Sequence, residues 1–184
     1  FNNAFGHDRP QGIDAYRAIG RETGVEIVGA RELTVEGCGR VCSSAARALL
    51  QQARPDEAAR VLGAPNRITG PVLHGKELGR KLGFPTANIE PLDRDCLIPA
   101  KGVYAADVTL PDGSTYPAML NIGHRPSVDA PHAPISIEAH ILGFDGDIYG
   151  STVAVDFLRY IREERKFPSL DALRARLEED ASAV

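Results

Sequence analysis

Apolar and polar positions alternate along most of the second half of the chain. The alternation predicts strands over Ile68–His74, Gly102–Leu110, Thr115–Ile122, Ile135–Ile141 and Thr152–Leu158, with a shorter one over Thr86–Ile89. Pro111-Asp112-Gly113 and Asp145-Gly146 supply turn residues between them. Short strands at this spacing point to a sandwich or a small closed barrel. Ser169 is then placed to cap a helix whose Leu170, Leu173 and Leu177 form an apolar stripe suited to packing on the barrel.

The pattern before Arg67 is different. Ile13–Glu22 has helical spacing and is interrupted by Gly20 and Gly24, and Val25–Val28 reads as a short buried strand. Ser43 or Ser44 can cap a helix running through Gln52. Pro55–Leu62 reads as another helix, stopped by Gly63. This front part holds little apolar material for a core of its own. The expected organisation is an incomplete α/β segment over 1–66, the tail of a larger domain, followed by a mainly β domain over 67–184.

Composition agrees with a folded chain able to bury a core without disulfides or structural metal: 184 residues, 43% hydrophobic and 25% charged. No run approaches the length of a membrane-spanning helix, so no membrane partner is expected. The net charge of −4 gives no broad basic face for nucleic acid. Charge is uneven, with all four lysines after residue 75. Cys38, Cys42 and Cys96 make no CxxC pair, and an odd count suits a reducing cytoplasm better than a disulfide framework. The chain begins with Phe1, so its natural N-terminus and any targeting signal are expected to be missing.

Candidate chemistry concentrates between Gly70 and Asn88. Gly70, Gly75, Gly79 and Gly83 space a segment carrying His74, Lys76, Arg80 and Lys81. Glycines let backbone approach a ligand, successive N–H groups can cradle an anion, and the basic side chains would contact phosphates. Neither GxxxxGK[ST] nor GxGxxG occurs in it. The same spacing also suits a plain glycine-rich turn between strands. Phe84 and Pro85 lead into Thr86 and Asn88, which share one face of an extended segment and offer two neutral oxygens. Such a pair suits Mg²⁺ shared with substrate phosphates, or the satisfaction of turn backbone.

On Ile135–Ile141, Ser136, Glu138 and His140 share the face opposite the isoleucines. Glu138 could take a proton from a substrate hydroxyl, or simply face solvent. Arg125 follows a strand and could reach a phosphate or a heterocycle, or lie on the surface. Tyr160–Phe167 reads as a charged link that could close over a ligand or plug the core with Phe167. The five histidines and three cysteines show no zinc spacing, and no nucleophile elbow is present.

Gly79-Arg80-Lys81-Leu82-Gly83-Phe84-Pro85-Thr86-Ala87-Asn88 closely resembles the riboflavin kinase signature. Gly102-Val103-Tyr104, Asn121-Ile122-Gly123-His124-Arg125-Pro126, Glu138, Asp147-Ile148-Tyr149-Gly150 and Ile161–Phe167 follow in the family's order. The resemblance runs from Ile68 to Asp180. It implies a six-stranded antiparallel Greek-key barrel with a C-terminal helix, and transfer of phosphate from ATP to riboflavin, giving FMN and ADP. By the same resemblance Thr86 and Asn88 hold Mg²⁺, and the loop from Gly70 to Phe84 covers the nucleotide. Glu138 would deprotonate the 5′-hydroxyl, and Arg125, Arg162 and Phe167 are candidates for the flavin side. Ser127 stands where the family commonly has Thr. Residues 128–134, with Pro131, His132 and Pro134, are expected to form an unusual loop, and they lie outside the residues described below.

Asn3–Gly6 and Val41–Arg47 resemble the last part of the FMN adenylyltransferase module that precedes the kinase in bacterial FAD synthetases. Cys42 replaces a usual Ser, and the module's HxGH motif does not occur. The resemblance therefore implies FMN but not FAD from this chain, with FAD synthesis confined to a longer parent. The alternative is a flavin-binding module that lacks activity in this chain. Oligomeric state is not specified by these residues.

Overall fold

A computed structural model describes residues 12–29, 31–75, 79, 83–93, 95–124 and 135–184. The chain forms two compact units, which divide between Leu33 and Thr34.

The described part of the first unit is built on helix α1 (Ile13–Thr23), closed by Gly24 in the left-handed conformation. The strand expected at Val25–Val28 does not form. These residues are irregular, with Val25 57% and Val28 79% exposed. The Val25 N–H bonds back to the Gly20 carbonyl and so serves the helix end rather than a sheet.

The second unit opens with a two-stranded ribbon, β1 (Thr34–Val35) and β2 (Gly39–Arg40), then α2 (Ser43–Gln51) and α3 (Pro55–Leu62). The cap of α2 is Cys42, not Ser43 or Ser44. Cys42 is extended and its Sγ accepts the Ala45 N–H at 3.4 Å, while both serines lie inside the helix. Pro55 opens α3 and Gly63, at φ 81°, ends it as expected. Ala46, Leu49, Leu50, Ala58 and Val61 form a small core with Cys38, Val41, Ala45 and Leu97 packed against it. The Ala100 N–H bonds to the Leu50 carbonyl, which ties α2 to the following sheet.

Six strands then close a barrel: β3 (Asn66–Leu73), β4 (Ala87–Ile89), β5 (Gly102–Thr109), β6 (Thr115–His124), β7 (Ile135–Ile141) and β8 (Thr152–Arg162). Their order around the barrel is β3-β4-β7-β6-β5-β8, with every neighbouring pair antiparallel. Closure removes the edges that an open sheet would expose. The expected six-stranded antiparallel barrel is therefore present. Its interior holds Tyr104, Leu120, Ile122, Ile137, Val155 and Phe157, all at most 2% exposed. Each such side chain contributes roughly 1.5–3 kcal/mol by leaving water. The Tyr104 phenol donates to the Ala100 carbonyl, and burial raises its pKa far above the ordinary tyrosine range.

The charged link expected from Tyr160 begins later than its composition suggests. Tyr160–Arg162 continue β8, and the Tyr160 ring meets Tyr104 edge-on at 5.3 Å. Register shifts opposite Val103–Tyr104 and Ala105–Ala106 let the strand carry on past Leu158. Ser169 caps α4 (Leu170–Ser182), its Oγ accepting the Ala172 N–H.

The leucine stripe is only partly used, since Leu170 is 57% exposed. The buried residue of α4 is Asp180. Arg162 Nε and Nη2 donate to its carboxylate at 2.6–3.0 Å, and Arg176 Nε lies 3.0 Å away as an ion pair without hydrogen-bond alignment. A charge network thus ties the last helix to β8. Removing one member of a buried pair strands the other, at a cost of about 3–5 kcal/mol. Asp180→Ala is expected to lower unfolding stability near the bottom of that range, measured by urea denaturation. Arg162→Met with Asp180→Leu should recover part of the loss, because the buried Arg162 is then no longer stranded, while Arg176 loses Asp180 and keeps only Glu179.

Candidate functional site

Antiparallel register builds the centre of the site. Asn88 on β4 lies opposite Glu138 on β7, and Glu138 lies opposite Asn121 on β6. Their neighbours Ile89, Ala139 and Leu120 are buried in the barrel. Strand alternation therefore turns Asn88, Glu138 and Asn121 to the outer face as one half-buried row. Directly opposed residues have Cα atoms about 4.5–5.5 Å apart, so the three polar groups are immediate neighbours. Asn121 Nδ2 donates to Glu164 Oε1 at 3.3 Å. Gly123 leaves room for that carboxylate: a Cβ there would sit 2.3 Å from Glu164 Oε1.

The glycines have distinct tasks. Gly70 lies within β3, where a Cβ would fall 1.9 Å from the Glu90 carbonyl oxygen, so its bareness serves strand packing. Gly75 faces the site, and a Cβ there would meet Asn88 Nδ2 at 2.0 Å. At Gly79 a Cβ would meet the Phe84 carbonyl at 2.2 Å and the Thr86 methyl at 3.5 Å. The Phe84 N–H also bonds to the Gly79 carbonyl. Gly83 adopts φ 85°, a conformation other residues rarely take. The backbone at Gly75 and Gly79 is thus drawn onto the segment holding Thr86 and Asn88. Lys76, Arg80, Lys81 and Arg125 lie outside the described residues.

A cleft of about 330 Å³ lies beside β4 and β7, lined by Val72, Pro85, Thr86, Ala139, Ile141, Phe144, Ile148 and Tyr149 and by none of Asn88, Glu138 and Asn121. Thr86 is common to the cleft and to the segment leading into Asn88. His74, an expected ligand contact, stacks on Tyr149 with ring centroids 3.7 Å apart. The apolar walls and the stacked pair suit a planar ring. Phe144 and Tyr149 had no assigned role in the sequence, because Asp145-Gly146 signals only a turn. Their shared feature is an aromatic residue on either side of that turn.

The remaining candidates lie apart from the cleft lining. Arg162 donates to Asp180 and, through Nη1, to the Glu163 carbonyl. Phe167 is half-buried, with the Arg162 and Arg165 guanidinium carbons 5.6 and 5.0 Å from its ring centre. It is absent from the barrel core.

Among the described residues no group of three or more His, Cys, Asp or Glu could hold a metal. What the site offers is the Thr86 hydroxyl and the Asn88 amide, with the Gly75 backbone packed close against that amide. Two neutral oxygens fit Mg²⁺ that completes its shell with water and substrate phosphates.

The fold is a closed six-stranded barrel in which Gly75 and Gly79 lie close against the Thr86–Asn88 segment and Asn88 stands in register with a carboxylate. Residues 62–184 match the family model described as Flavokinase: Riboflavin kinase. The chain belongs to the riboflavin kinase family. It is 40% identical over 180 residues to the bifunctional riboflavin kinase/FMN adenylyltransferase of Pseudomonas fluorescens, covering 98% of this chain and 56% of that protein. The protein of the same description from Escherichia coli K12 is 38% identical over 176 residues, covering 96% of this chain and 55% of that protein. A solved Streptococcus pneumoniae structure described as a macrolide-efflux protein superposes with a TM-score of 0.86 at 33% identity. It covers all of this chain and 57% of that one. The chain thus spans little more than half the length of these relatives. Among the described residues no helix is long and apolar enough to cross a membrane.

The contact at Gly75 is open to test. In Gly75→Ala the new methyl must displace the Asn88 amide. The side-chain amide resonances of Asn88 are expected to shift, with the melting temperature nearly unchanged. Unmoved Asn88 signals would show that the loop does not rest on this residue.

Proposed function

We propose that this chain transfers the γ-phosphoryl group of ATP to the 5′-hydroxyl of riboflavin, giving FMN and ADP. The observation that carries the reading is the register setting Asn88 beside Glu138, with Thr86 linking that row to the cleft. Family membership supplies the substrates. Phosphoryl transfer needs positioning and charge neutralisation more than covalent chemistry, and a site this small can provide both.

In this reading the nucleotide occupies the cleft, its ring against Tyr149 and Phe144 and its phosphates under the glycine loop. Gly75, Gly79 and Gly83 shape that loop, and Arg80 and Lys81 supply its charge. Thr86 and Asn88 would hold Mg²⁺, which neutralises phosphate charge when bound. Riboflavin approaches from the Asn121 side, and Arg125, Arg162 and Phe167 are its candidate contacts. Glu138 accepts the proton of the 5′-hydroxyl as the new O–P bond forms and the bond to the β-phosphate oxygen breaks, releasing ADP.

The kinase domain is assigned to 67–184, in keeping with the barrel's first strand at Asn66 and the family match from residue 62. Residues 1–66 are read as the end of a nucleotidyltransferase-like α/β domain, and adenylylation of FMN to FAD is assigned to a longer parent. Three free thiols support a reducing cytoplasmic setting.

Incubation with riboflavin, ATP and Mg²⁺, resolved by chromatography, should yield FMN without FAD. Riboflavin bound with no product would replace this reading with a flavin-binding module. Glu138→Ala is expected to lower kcat by about 10²–10⁴, the usual worth of a positioned general base. Wild-type turnover in that variant removes Glu138 from the chemistry. Thr86→Ala and Asn88→Ala should each raise the Mg²⁺ and ATP concentrations needed for half-maximal rate. Unchanged metal dependence in both would overturn the metal assignment.

A further inference from the structure

We propose that His140 is a positioning residue that fixes the nucleotide-binding segment against the strand bearing the general base; the inference rests on the kinase reading above. His140 lies on β7, two residues beyond Glu138 and on the same outer face. Its Nδ1 is 2.8 Å from the Pro85 carbonyl oxygen. A carbonyl only accepts, so Nδ1 carries the proton and donates. The half-buried Phe84 ring also packs against the imidazole, with centroids 5.1 Å apart and planes at 63°. One side chain therefore grips the two residues that lead directly into Thr86.

The grip lies where the fold has little other support. β4 pairs with β7 through only two registered positions, Ala87–Ala139 and Asn88–Glu138. Pro85 has no backbone N–H to add a ladder bond. Without the donor from His140, the Pro85 carbonyl loses its side-chain partner immediately before Thr86. With it, the Thr86–Asn88 segment and Glu138 are both referred to one strand. Phosphoryl transfer loses rate steeply when reacting groups are misplaced by about an ångström, so this coupling bears on turnover as well as on binding.

The test compares His140→Ala, His140→Asn and His140→Phe. Asn keeps a donor near the Nδ1 position, whereas Phe keeps a ring against Phe84 without a donor. In His140→Ala, kcat and the affinity for MgADP, measured by calorimetry without riboflavin, are each expected to fall about tenfold. The KM for riboflavin should move less than about threefold, and the fold should remain intact by thermal melting. His140→Asn should recover most of both losses and His140→Phe little. Wild-type kinetics and MgADP affinity in His140→Ala would overturn the proposal. So would equal rescue by Phe and Asn, or a loss of activity matched by loss of folded protein with MgADP affinity unchanged. Absence of FMN formation by the wild-type chain would instead refute the kinase reading itself.

Discussion

The site depends on a very short pairing. β4 contributes three residues to the barrel and meets β7 at two positions, yet it completes the ring between β3 and β7. A closed sheet needs every neighbour, so β4 is held by the pairing of the whole ring as well as by its own hydrogen bonds. That constraint brings a segment distant in sequence, Thr86–Asn88, alongside Glu138 and Asn121. The barrel interior supplies the energy, and the outer face of the same strands supplies the chemistry.

The glycines before β4 follow from the same constraint. Chain entering so short a strand must lie close to it, and side chains at Gly75 or Gly79 would strike Asn88 or the Phe84 carbonyl. Close approach, rather than left-handed backbone, explains those two positions, whereas Gly83 is set by its positive φ. Gly70 shows that one spacing can conceal unlike causes, because its missing side chain accommodates the Glu90 backbone.

At the end of β8 the structure relies on charge. Arg162 ends β8 and reaches the buried Asp180 of α4, with Arg176 adding a second cation. Leu173 and Leu177 are half-buried and Leu170 is exposed, so apolar burial on α4 is modest. A bidentate arginine fixes orientation more sharply than a leucine contact does. It thereby sets where the residues between β8 and α4 begin and end, and Glu164 among them reaches Asn121.

Much of this architecture was legible in the residues. Alternation located six strands to within a few positions, because a strand with one buried face must repeat every second residue. Gly63 and Ser169 marked helix ends through local backbone chemistry. The Gly79–Asn88 run pointed to the family before any contact was known. Local pattern failed where the outcome depended on a partner. Val25–Val28 has the composition of a strand but pairs with none among the described residues, and Cys42 caps α2 in place of the serines beside it. Strand β8 outran its alternation because bulged pairing with β5 carried it on to Arg162. Sequence alone determined the strands, the turns and the residue types able to bind phosphate. Tertiary structure alone decided that Asn88, Glu138 and Asn121 stand in one row, that His140 holds Pro85, and that Arg162 serves Asp180. Those relations are set by register and ring closure between segments far apart in the chain, and no local pattern encodes them.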